Sequence, residues 1–101
     1  MAYSIHYLPI AEEDFLSAVR YIANKLEAPK AAASLIDEYD SLVKRISLYP
    51  YSFPLYKTNR PMKDEIRYGV IGNYLVFFTV INNTVEIRRF LYGKRNIDNI
   101  I

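Results

Sequence analysis

The chain has 101 residues, a single His, no Cys and a formal net charge of +2. That length suits one domain with a real core, residues 1–101 together. Without Cys there is no disulfide, thiolate metal site or Cys nucleophile, and one His excludes an ordinary zinc centre, so no metal and no cofactor are expected. The charge is uneven: residues 1–54 carry five Lys/Arg against seven Asp/Glu, a net −2, and residues 55–101 carry eight against four, a net +4. The positive half fits contact with an anionic partner such as nucleic acid; a solvated basic face with no partner is the alternative. No apolar run approaches the roughly 18–20 residues that span a bilayer. Met1–His6 opens straight into a strand-like pattern rather than a secretory leader, so a cytoplasmic protein with no membrane partner is expected.

In chain order, Tyr3–Leu8 alternates as a short strand. Pro9 suits the first turn of a helix, and Glu12, Glu13 and Asp14 follow where the helix dipole favours negative charge. Ala11, Phe15, Ala18, Val19, Ile22 and Leu26 recur at steps of three and four, which predicts a helix to about Leu26. Pro29 opens a second helix with the apolar stripe Ala32, Leu35, Ile36, Tyr39, Leu42, Val43 and Ile46. Asp37, Glu38, Asp40, Lys44 and Arg45 take its other face. The link between the helices is short, so they should form an antiparallel hairpin.

Pro50–Pro61 has no helical or strand period. It reads as an ordered surface connection pinned by Tyr51, Phe53 and Tyr56, long enough to be functional. Three strands follow: Asp64–Ile71, Tyr74–Ile81 and Thr84–Tyr92, joined by Gly72-Asn73 and Asn82-Asn83, residues that tolerate a tight hairpin. The middle strand, YLVFFTVI, is apolar on both faces, as a strand covered on two sides would be. Asn96–Ile101 could add a last helical turn or pack its isoleucines. The predicted fold is α+β: an N-terminal strand, a helix hairpin covering the sheet, then a three-stranded antiparallel meander.

This β-α-α-β-β-β order resembles the RelE/ParE superfamily of bacterial type II toxins. The resemblance runs from about Ile5 to Asp98. It rests on P-I-A-E-E-D-F, A-A-A-S-L-I-D, Y-L-V-F-F-T-V and the closing V-E-I-R-R-F-L-Y-G-K-R-N. It implies a growth-inhibiting toxin held inactive by a cognate antitoxin, whose acidic amphipathic segment would meet the basic face and an aliphatic groove beside the helix hairpin. ParE-like members are associated with poisoning DNA gyrase. RelE-like members cut messenger RNA on the ribosome without a metal. The closing motif leans towards ParE, with Tyr92 and Asn96 where ParE-like endings carry His and Asp.

The nuclease alternative has its own residues. Metal-free RNA cleavage needs a base, an acid and cations around one phosphate. Arg67 and Arg95 match basic positions of RelE-like enzymes, and Tyr92 with Glu65 could supply proton transfer. Tyr74 stands where RelE has an Arg, and a phenol ordinarily near pKa 10 is a poor base at pH 7. The favoured reading of Tyr92 is an aromatic packed at a strand end, and that of Glu65 an ion-pair partner of Arg67. Lys57, Arg60, Lys63, Arg88 and Lys94 are candidates for nucleic-acid or target binding. Arg88 and Arg89 are adjacent, so strict alternation puts them on opposite faces, one of them pairing with a helix carboxylate such as Glu38 or Asp40. His6 reads as structural.

Overall fold

A computed structural model of the chain describes residues 2–58 and 61–101. The chain begins with β1 (Ser4–Tyr7), then α1 (Pro9–Arg20), which runs on into a wide π-type turn at Tyr21–Lys25, and α2 (Pro29–Leu48). A 3₁₀ turn at Pro50–Ser52 leads into the connection, and β2 (Arg67–Ile71), β3 (Tyr74–Ile81) and β4 (Thr84–Tyr92) form the meander, followed by the short α3 (Ile97–Ile100). The strand order is β1-β4-β3-β2. β1 lies parallel to β4, Ser4 opposite Thr84 and Tyr7 opposite Ile87, while the meander pairs are antiparallel. A parallel neighbour needs a long crossover, and the helix hairpin together with the first two meander strands provides it.

Both hairpin turns place their first residue at positive φ, Gly72 at 54° and Asn82 at 55°. Gly has no Cβ to clash there, and Asn tolerates the left-handed region better than most residues. β2 is shorter than the sequence suggests because residues 64–66 turn towards the connection. Thr79 Oγ1 donates to the Glu65 carbonyl, and the connection folds back along β2 through Tyr56 N–H to Ile66 and Tyr68 N–H to Pro54. In this way the chain covers much of its own sheet edge.

β3 is the strand buried on both sides: Val76, Phe77, Phe78 and Thr79 are all within the core. On one face Val76 and Phe78 join Leu35, Tyr39, Leu42 and Ile46 of α2. On the other, Phe77 and Leu91 lie under Ile66 and Ile97, flanked by Tyr56, Met62 and Tyr68. The connection and the tail therefore act as the second covering layer, and the tail both forms a helical turn and buries an isoleucine. Of the three expected pins, Phe53 and Tyr56 are half-buried against the clusters, but Tyr51 is exposed and works by an edge contact with Tyr3.

Two helical residues depart from the expected stripes. Leu26 is exposed because its N–H bonds to Tyr21, an i→i+5 step that carries it round from the row through Ile22. The helix thus ends its α-form at Arg20, earlier than the spacing predicts. The turn closes with Glu27 at φ 51°, a conformation that favours glycine. Ile36 is exposed as well: it lies about 100° round from Leu35 and misses the face that meets the sheet.

Candidate functional site

Acidic residues on α1 do more than serve the helix dipole. β1 covers the outer edge of β4 only as far as Ile87, whose carbonyl takes the Leu8 N–H. Pro9 then turns the chain into α1, and Asp14 meets the uncovered edge. Its Oδ2 accepts from the Phe90 N–H at 3.1 Å and from Arg89 Nε at 2.7 Å, while Oδ1 accepts from Arg89 Nη2 at 3.0 Å. The bidentate geometry is the strong form of this contact, and both side chains are largely shielded from water. Arg89 therefore pairs with α1, not with Glu38 or Asp40 of α2.

A bulge explains why neither adjacent arginine is free. Phe77 pairs with Arg89 and Phe78 with Ile87, so Arg88 is the extra residue on β4. Ile87 and Phe90 both join the helix-side core, three residues apart, and strict alternation is broken between them. Arg88 pairs with Glu86 at 3.3 Å, beside His6, which is exposed on edge strand β1.

The two cations singled out for phosphate contact sit at different corners. Arg67, at the start of β2, donates from Nη1 to the Phe53 carbonyl at 2.7 Å and lies 5.1 Å from the Tyr51 ring centroid. Its side chain is 17% exposed, and exposed Glu65 stands 4.0 Å away, at the limit of an ion pair. Arg95 lies just past the end of β4. Register places Arg67 opposite Phe78 and Tyr92 opposite Tyr74. The ends of β2 and β4 are thus offset by four residues along β3 and by two strand spacings, roughly 16 Å in all. Arg67 and the end of β4 that leads to Arg95 stand at different corners of the sheet.

At the second corner, Tyr92 is partly exposed and meets Tyr74 edge-on at 5.7 Å, and Tyr74 stacks on Phe90 at 4.9 Å. Burial, then the neighbouring Tyr92 and Tyr21 phenols, push the Tyr74 pKa up, so it stays protonated at neutral pH. The Arg95 N–H donates to the Tyr92 carbonyl, closing a turn that leaves Lys94 and Arg95 exposed. Neither forms an ion pair among the described residues. An open groove of about 1050 Å³ runs from this corner between α1 and β4, with Ala18, Ile22 and Leu26 on one wall and Tyr74, Phe90 and Tyr92 on the other. Lys57 and Lys63 are exposed on the connection at the opposite side of the sheet, and Arg60 lies outside the described residues. The sequence reading missed the Asp14 clamp. Its signal was there: an acid three residues after Ala11 and four before Ala18, on the buried side of the helix.

These features define a small α+β scaffold with an open groove beside a basic strand end. The fold is similar to a solved chain of the "Chromosomal ParDE TA system from P. aeruginosa", with a TM-score of 0.70 at 16% identity over 92% of this chain and 98% of that one. At the level of sequence, no curated protein matches. Residues 5–97 match the family described as "ParE toxin of type II toxin-antitoxin system, parDE", and the chain belongs to that family. It is a ParE-like toxin of a type II pair, with a cognate antitoxin for partner. Among the described residues no helix is long and apolar enough to cross a membrane.

Proposed function

We propose that the chain arrests growth by binding DNA gyrase rather than by cutting messenger RNA. The observation that carries this reading is the separation of Arg67 from Arg95, with Arg67 already held by the Phe53 carbonyl and the Tyr51 ring. A metal-free nuclease needs its cations, base and acid within hydrogen-bond reach of one phosphate. Exposed Lys94 and Arg95, beside Tyr92, instead suit a docking surface. Lys57 and Lys63 add to the positive field that steers an acidic partner. When bound, the antitoxin lays an acidic amphipathic segment over the groove and silences the toxin.

The test is a pair of assays on the purified chain. Gyrase-driven supercoiling of a relaxed plasmid should be inhibited, and a defined message in a bacterial translation extract should stay intact by primer extension. New 3′ ends at A-site codons with supercoiling undisturbed would overturn the reading in favour of the ribosome-dependent nuclease, with Arg67, Arg95, Tyr92 and Glu65 as its residues.

A further inference from the structure

Among the described residues, the outer edge of β4 beyond Ile87 holds an unfilled strand position. The Phe90 N–H points outward, since it bonds Asp14, and the Gly93 N–H points inward, since it bonds the Asn73 carbonyl. Antiparallel alternation then turns the N–H and C=O of both Phe90 and Tyr92 away from β3. Of these four groups two are taken: Phe90 N–H by Asp14 and Tyr92 C=O by the Arg95 N–H. The Phe90 C=O and the Tyr92 N–H remain without a backbone partner among the described residues. They are the two groups that a residue on a parallel neighbour engages, its N–H given to one and its C=O accepting from the other; an antiparallel neighbour would need a group already in use.

We propose that this position is filled by an extended segment of the cognate antitoxin, running parallel to β4 and continuing the line that β1 leaves at Tyr7. The inference rests on the antitoxin partnership above and adds its direction, register and pattern. The paired residue lies level with Leu91, so its side chain turns to the far face. The residues before and after it lie level with Phe90 and Tyr92 and turn into the groove, whose wall of Ala18, Ile22 and Leu26 takes aliphatic side chains. A residue just beyond them reaches Lys94 and Arg95, which have no ion pair among the described residues, so it is acidic. The segment reads apolar, any residue, apolar, then Asp or Glu. Charge complementarity and the two open backbone groups together select a strand of this kind.

The experiment is hydrogen–deuterium exchange with residue resolution on the full chain, alone and with its purified cognate antitoxin, beside binding measurements on three surface variants. The Tyr92 amide should exchange at least tenfold more slowly in the complex. Leu26→Arg and Arg95→Glu should each weaken binding tenfold or more, and Ile36→Arg, exposed on α2 outside the groove, should change it less than twofold. Full-affinity binding with unchanged Tyr92 exchange would overturn the strand position and leave the antitoxin partnership standing. No binding by folded protein would overturn both. Slowed Tyr92 exchange in the chain alone, growing with concentration, would assign the position to a second copy of the chain and overturn the proposal.

Discussion

The two corners of the sheet carry the same kind of charge and use it in opposite ways. At the start of β2, Arg67 is spent on the protein itself: it ties the connection to the sheet through the Phe53 carbonyl and covers the Tyr51 ring. At the end of β4, Arg95 gives its backbone N–H to the fold, is exposed, and forms no ion pair among the described residues. A basic residue in a sequence is thus a neutral fact until its local partners are known. The Asp14 clamp makes the same point in the other direction, committing Arg89 to the scaffold along one wall of the groove.

The sharpest way to break this comparison is to remove the clamp. Asp14→Ala leaves a shielded guanidinium and a strand-edge N–H without their acceptor, and should lower stability by about 2–4 kcal/mol in urea unfolding. An unchanged midpoint would mean the edge does not depend on Asp14. The corners themselves are separated next: Arg67→Ala should cost about 1–3 kcal/mol, the range for a charge-assisted bond lost from a shielded site, and Arg95→Ala less than about 0.5 kcal/mol. Equal costs would erase the distinction drawn here. Glu27→Gly should stabilise the chain by about 1 kcal/mol, because Glu27 holds a left-handed φ.

The smallest effect at neutral pH is expected in the core beneath. Tyr39 Oη is buried without a hydrogen-bond partner among the described residues, so Tyr39→Phe should be close to neutral at pH 7. At high pH it should matter. Burial first, then nearby acidic groups, raise the pKa of Tyr39, and burial likewise raises those of Tyr7, Tyr56 and Tyr74. The native state then keeps protons that the unfolded chain releases near pH 10, so this contribution is intact below that pH and is lost as pH rises through it. Urea midpoints should hold from pH 7 to 9 and fall above about 10, less steeply in Tyr39→Phe.

Much of the fold was legible because its signals are local. Pro9 and Pro29 mark helix starts, Gly72-Asn73 and Asn82-Asn83 mark hairpins, and the doubly apolar β3 announces two covering layers. What escaped depends on contacts distant in sequence. Nothing near Ile5 says that β1 joins β4, and nothing in R-R says that a bulge sits at Arg88. The π-type turn after Arg20 shifts the phase of the helical stripe by one residue, which no 3.6-residue period can anticipate. The site was half legible for the same reason. Arg67 and Arg95 could be picked out by type and position, but their separation belongs to the register of the sheet.

The central claim is that the open corner, not the closed one, acts on the target. Induced expression in bacteria of the wild-type chain, Arg67→Lys and Arg95→Glu, each shown to be folded and equally abundant, tests it directly. Growth arrest should persist in Arg67→Lys and fail in Arg95→Glu. Arrest lost in Arg67→Lys and kept in Arg95→Glu would place the function at the closed corner and contradict the account.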